Sequence, residues 1–110
     1  MAIPHAKPGE VFDVSPLGDA IADTKTSTLL KTDAFEVLRL NLPAGKIIAE
    51  HKARGEISVQ CIEGRVTFTA MGKANELTAG KMPFLSAAEP HAVEALENSS
   101  LLVTLMLGNK

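Results

Sequence analysis

The chain has 110 residues, of which 45% are hydrophobic, so it is long enough to form one compact domain with a buried core. Its formal net charge of -2 and its pI near 5.9 give no basic excess of the kind that binding to a nucleic-acid backbone requires. A single cysteine, Cys61, excludes an intrachain disulfide, and the apolar runs are too short to span a bilayer, so we expect a cytoplasmic protein.

The N-terminal part of the chain shows turn-forming residues and no strand pattern. Residues 1–9 contain two prolines and do not resemble a secretion signal. We expect them to form an extended arm that becomes ordered only against a partner or the wall of the folded domain. A short helical turn is predicted over residues 15–22, because Ser15 can cap a helix and Pro16 suits the first helical position.

From residue 28 onward, hydrophobicity alternates mainly with a period of two, and turn residues interrupt the pattern at regular intervals. This pattern is typical of all-β sandwiches and barrels. Glu63-Gly64 and Met71-Gly72-Lys73 are predicted to be tight reversals, because glycine adopts positive φ without steric cost. The predicted strands cover residues 28–31, 35–42, 46–49, 57–62, 65–70, 73–78, 82–85, 92–95 and 101–107.

The last predicted strand is more continuously apolar than a half-exposed strand needs to be, with Leu-Leu-Val-Thr-Leu-Met-Leu over residues 101–107. We therefore expect both of its faces to be covered. A second subunit packed against the outer face would cover it, which predicts a homodimer. The alternative is a central strand of a single sandwich with a helix or loop across its back.

Two segments each place a histidine at a fixed offset after a glycine. Five residues separate Gly45 from His51, with Gly64 further along, and ten residues separate Gly80 from His91. These offsets, in this order and between predicted strands, resemble the two signature motifs of the cupin superfamily. The resemblance covers residues 35–106. It implies a small single-domain cupin over residues 1–110, whose fold is all-β, a small antiparallel jelly-roll β-barrel.

The chain departs from the cupin motifs at several positions. Ala53 stands where the first motif has its second histidine, and Ile57 stands where it has a glutamate. In the second motif, the proline, glycine and asparagine positions hold Ser86, Ala88 and Ala95. The first two departures remove metal ligands of the family and weigh against a fully ligated metalloenzyme.

The resemblance also implies that His51 and His91 point into the mouth of the barrel. Two imidazoles and an oxygen donor could hold one divalent transition metal, either Mn, Fe, Ni, Cu or Zn, with positions left for water or substrate. Glu56 and Gln60 are the candidates for the oxygen donor. Gln60 lies on the opposite face of a regular strand from Ile57, so it reaches the pocket only if a bulge before Ile57 shifts the alternation.

Each candidate residue also has a simpler structural interpretation. His91 can be exposed or hydrogen-bonded to the backbone, Glu56 can be a solvated turn carboxylate, and Gln60 can be an exposed strand residue. His5 matches no motif position. Cys61 alternates with buried strand positions, so it is interpreted as a small buried hydrophobic residue and not as a nucleophile.

Three functions are consistent with this sequence. The first is a barrel that binds a small molecule, with or without a metal, in a pocket lined by His51, His91, Gln60, Val59, Phe68 and Phe84. The second is a metal-dependent enzyme of the dioxygenase, isomerase or decarboxylase class, and the third is a non-catalytic dimeric structural module. The missing ligands weigh against the second, and the retained histidines weigh against the third, because a packed apolar interior has no use for two imidazoles. We therefore place small-molecule binding first.

Overall fold

The alternation of apolar side chains produces two antiparallel β-sheets in the computed structural model, which describes residues 5–107. The larger sheet has the strand order β1-β2-β9-β4-β7 and the smaller one β3-β8-β5-β6. The all-β jelly-roll prediction is confirmed, and the predicted strands are all present, with ends that differ by at most two residues. The strands are β1 (Ser27–Lys31), β2 (Phe35–Leu42), β3 (Ile47–His51), β4 (Ile57–Glu63), β5 (Arg65–Ala70), β6 (Lys73–Thr78), β7 (Phe84–Leu85), β8 (His91–Ala95) and β9 (Ser99–Met106).

The core lies between the two sheets, because successive side chains of a strand point to opposite faces and one face of each sheet is turned inward. On β4 the buried positions are Ile57, Val59 and Cys61. As the absence of Trp and Tyr implies, the core is mainly aliphatic, and Phe68 is its one fully buried aromatic side chain among the described residues. The other strands contribute Leu42, Val66, Leu77, Leu85, Val93, Ala95, Leu101 and Val103.

The predicted helical turn is present as a short 3₁₀ helix over Gly18–Asp23, but its predicted cap is wrong. Ser15 hydrogen-bonds to Asp13 and does not cap the helix. The carboxylate of Glu63, at the end of β4, instead accepts hydrogen bonds from the backbone N–H groups of Leu17 (2.5 Å) and Gly18 (3.0 Å). Within residues 5–107 no helix is long and apolar enough to cross a membrane.

A buried polar cluster holds the segment before this helix against the outer face of the larger sheet. The side chain of Arg39 donates to Ser100 Oγ at 2.7 Å and to the Ser15 carbonyl, and it lies 3.7 Å from the carboxylate of Glu63. Ser100 in turn donates to Asn41 Oδ1 at 3.0 Å. These contacts satisfy the polar groups that the sheet buries, so the segment is fixed by specific bonds.

Strand β9 lies in the middle of the larger sheet, between β2 and β4. Its inner face is covered by the core, and its outer face is covered at Ser100 by the polar cluster but is exposed at Met106. The chain's own N-terminal segment thus covers part of the face that the sequence assigned to a second subunit or a loop. The homodimer stays a prediction.

The predicted N-terminal arm lies partly outside the described residues, which begin at residue 5. In the described part, the backbone N–H of Ala6 donates to the carbonyl of Leu29 at 2.8 Å. Leu29 is the extra residue at an irregularity in the pairing of β1 with β2, so its carbonyl is available to the arm. A turn follows at residues 8–9, closed by a bond from the N–H of Glu10 to the carbonyl of Lys7.

Cys61 is fully buried, as the sequence predicted. Burial raises the pKa of the Cys61 thiol, so the reactive thiolate is scarcer at any given pH than in an exposed cysteine.

We expect iodoacetamide at about pH 8 to alkylate the native protein at least about tenfold more slowly than the urea-unfolded protein. Mass spectrometry over a time course measures both rates. Equal rates would contradict the burial of this thiol.

Candidate functional site

A cavity of about 390 Å³ opens between the two sheets. Its volume lies within the range of small-molecule pockets. Most of its wall is aliphatic, and the polar residues in the wall are His51, His91 and Lys52. The lining residues are Leu38, Leu40, Ile48, His51, Lys52, Ala53, Ile57, Val59, Phe68, His91, Val93, Leu101, Val103 and Leu105.

A bulge in β3 brings the two predicted histidines together. Ile48 pairs with Val93 of β8, but the next pair is His51 with His91, so β3 uses three residue steps where β8 uses two. The extra residue reverses the side-chain alternation and turns His51 to the same side as Ile48, into the cavity. The two imidazole centroids lie 4.3 Å apart at a tilt of 59°.

The backbone fixes the tautomer of both imidazoles. Nδ1 of His51 lies 3.0 Å from the carbonyl of Ala49, and Nδ1 of His91 lies 3.1 Å from the carbonyl of Glu89. Because a carbonyl oxygen only accepts hydrogen bonds, each Nδ1 is assigned the proton. Nε2 is then the ring nitrogen that these backbone contacts leave free.

The cavity has a polar mouth and an apolar interior. His91 is only 3% exposed and stacks on Phe68 with a centroid distance of 5.8 Å. His51 and Lys52 are exposed and therefore mark the mouth. Sequence reasoning missed Lys52, because nothing in the sequence distinguishes it from a solvated surface lysine except its position directly after His51.

Several residues assigned to the pocket from the sequence do not line it. Gln60 lies on the outer face of β4, because the strand alternates regularly from Ile57 and no bulge precedes it in the pairing with β9. Glu56 and Phe84 line a shallow depression on the outside of the larger sheet, and Phe84 is 63% exposed. His5, which was not assigned to the pocket because it matches no motif position, is exposed and lies outside the cavity wall.

The donor set of this cavity does not fit a resident metal ion. Within the described ranges, no group of three or more His, Cys, Asp or Glu side chains is arranged to hold a metal. Ala53 and Ile57, at the cupin ligand positions, do line the cavity but carry no donor atom. Two nitrogen ligands leave most of the coordination sphere of a transition metal without protein donors.

Ala88 occupies the glycine position of the second cupin motif and keeps the backbone shape of a glycine. Its φ is +67°, in the left-handed region that side chains rarely adopt. The N–H of Ala88 donates to the carbonyl of Ala53 at 3.0 Å, which ties the loop after β3 to the loop before β8. This bond fixes the backbone next to Lys52 at the rim of the cavity.

Comparison of the sequence with protein-family models and with curated proteins gives no match. Solved structures do match. A conserved protein of unknown function from Streptococcus pyogenes is 18% identical with a TM-score of 0.75, covering 100% of this chain and 97% of that one. An RmlC-like cupin from Shewanella frigidimarina is 18% identical with a TM-score of 0.74, covering 98% and 95%.

A cupin superfamily protein from Desulfitobacterium hafniense is 14% identical with a TM-score of 0.72, covering 76% of each chain. At identities this low, structural similarity establishes a shared fold and not a shared activity. The chain has the cupin fold, as its motifs implied.

Proposed function

We propose that the protein binds a small organic molecule without a resident metal, holding an apolar body in the cavity and a hydrogen-bond donor at His51 and His91. The observation that carries this proposal is the pair of imidazoles, 4.3 Å apart, in the wall of an otherwise apolar cavity of about 390 Å³. Both rings present Nε2 as an acceptor, so the group that they recognise is a donor such as a hydroxyl.

The apolar wall supplies most of the binding free energy in this proposal. Each buried methylene is worth about 0.8 kcal/mol, whereas a neutral hydrogen bond adds a net of about 0.5–1.5 kcal/mol. The imidazoles therefore orient the ligand and select for its donor. At about 30 Å³ for each water-sized group, a cavity of about 390 Å³ accommodates roughly a dozen such groups.

A purely structural role explains the two histidines less well. His91 is only 3% exposed in an otherwise apolar wall, and burying its polar ring costs free energy that burying a hydrocarbon side chain does not. An aliphatic side chain would pack there at lower cost. The enzyme alternative that the sequence left open requires a further metal donor, and Ala53 and Ile57 do not supply it.

The proposal is tested with two isomeric probes, one an alcohol and the other an ether. Octanol and methyl heptyl ether have the same atoms, but only octanol donates a hydrogen bond. We expect isothermal titration calorimetry to show both binding, with octanol tighter by up to about tenfold, the value of one net hydrogen bond. The preference should disappear in His91→Phe and shrink in His51→Phe.

His5→Phe is the matched control, because His5 is exposed and lies outside the cavity wall. It should keep the wild-type preference. Circular dichroism of each variant checks that the fold is retained. Failure of both probes to bind would overturn the proposal, and equal affinity for the two isomers would overturn the assigned role of the imidazoles.

A further inference from the structure

Lys52 brings a positive charge to the mouth of the cavity. It is the only Lys, Arg, Asp or Glu among the described residues that line the cavity, and it directly follows His51. The chain as a whole has a net charge of -2, so a basic group at this place does not follow from a generally basic surface. Arg54, exposed on the same loop, adds a second cation close by in the sequence.

The rim that carries Lys52 is held in place by backbone bonds on both sides. Before it, β3 pairs with β8 up to His51 and His91. After it, the carbonyl of Ala53 accepts the hydrogen bond from Ala88. The Lys52 side chain therefore starts from a fixed backbone at the exposed rim of the cavity.

We infer that the ligand is an apolar hydroxy acid whose carboxylate binds Lys52 and whose hydroxyl binds the imidazole pair. This inference rests on the proposed function. An ammonium group donates to a carboxylate with opposite charge, which makes it the strongest match for that group in the cavity wall, whereas a hydroxyl is neutral and can donate to a free Nε2. A ligand that satisfies both groups carries its hydroxyl close to its carboxylate, with the hydrocarbon chain inside the cavity.

The probes for this inference are β-hydroxyoctanoate and its methyl ester. They share the hydroxyl and the hydrocarbon chain, but only the acid is charged at neutral pH. We expect the acid to bind the wild-type protein about 2–5-fold more tightly than the ester in low salt, as measured by calorimetry. The advantage should shrink as ionic strength rises, because salt screens an exposed charge pair.

Lys52→Met removes the charge and keeps a long side chain, so it should abolish the preference for the acid, which should then bind no more tightly than the ester. Lys73→Met is the matched control, because Lys73 is exposed on β6 and lies outside the cavity wall. It should behave as wild type. Equal affinity for acid and ester in the wild type, or a preference that survives Lys52→Met, would overturn the inference and leave the proposed function standing. Failure of both probes, together with failure of octanol, would overturn the proposed function itself.

Discussion

Gly64→Ala is expected to lower the free energy of unfolding by about 3 kcal/mol or more, a large part of the stability of a small domain. Gly64 closes the reversal between β4 and β5 with a φ of +91°, a conformation that alanine adopts only under strain. A Cβ atom there would overlap the carbonyl oxygen of Asn98 and lie 2.6 Å from the Cα of Ser99. Both are backbone atoms at the start of β9, so the strand itself would have to move.

The same displacement would break the hydrogen bonds of Ser99. Its hydroxyl accepts from the N–H of Arg65 at 3.0 Å and lies 2.8 Å from the carbonyl of Glu97, and the side chain is fully buried. Leaving such groups without partners costs about 1–3 kcal/mol each. The steric and polar effects therefore act in the same direction.

Gly72→Ala separates this contact effect from backbone strain. Gly72 also has a positive φ, +73°, but a Cβ there meets nothing within 4 Å. Gly72→Ala should therefore lower the free energy of unfolding only by the cost of backbone strain, about 1–2 kcal/mol. Urea unfolding of both variants measures how much each lowers the free energy of unfolding. Equal losses would show that the contact with β9 does not destabilise Gly64→Ala.

The strands could be predicted from the sequence because their signal is local. A period of two places one face of each strand in the core, and turn residues end each run, so β2, β5 and β6 have the predicted bounds. The cap of the 3₁₀ helix could not be predicted in this way. Glu63 is 45 residues or more along the chain from the N–H groups that it caps, and no local pattern announces such a contact.

The site was predicted in part, and the limit was the position of one bulge. His51 and His91, which the glycine-to-histidine offsets selected, both lie in the cavity wall, and their binding role stays a prediction. Gln60 could supply the oxygen donor only if a bulge before Ile57 turned it into the cavity, whereas the bulge lies in β3 and orients His51 instead. A bulge shifts every later side chain to the other face, so misplacing it misassigns a residue such as Gln60.

The absence of a third donor explains why the cavity does not fit a metal, and a single substitution should supply one. Ala53 is half-buried in the cavity wall and occupies the motif position of the second cupin histidine. We expect Ala53→His to bind zinc at least about 100-fold more tightly than the wild type, because three histidines form the protein ligand set of a catalytic zinc site. The size of the gain follows from a smaller change, since loss of a residue that only supports a ligand already lowers metal affinity by about 10–100-fold. With free zinc at 100 times Kd, the variant should gain about 2.7 kcal/mol of stability.

Ala53→His is preferable to adding a glutamate at Ile57, because Ile57 is only 6% exposed and a carboxylate there would be buried without a partner. Calorimetry of the untagged protein measures the zinc affinity, and a thermal melt with and without zinc measures the gain. Ala74→His is the control for a histidine added elsewhere, on the exposed face of β6, and should bind no more tightly than the wild type. Adding His91→Phe to Ala53→His should remove the gain, because the new imidazole is useful only beside the existing pair. Tight zinc binding by the wild type itself would contradict the metal-free proposal, since the two imidazoles would then suffice.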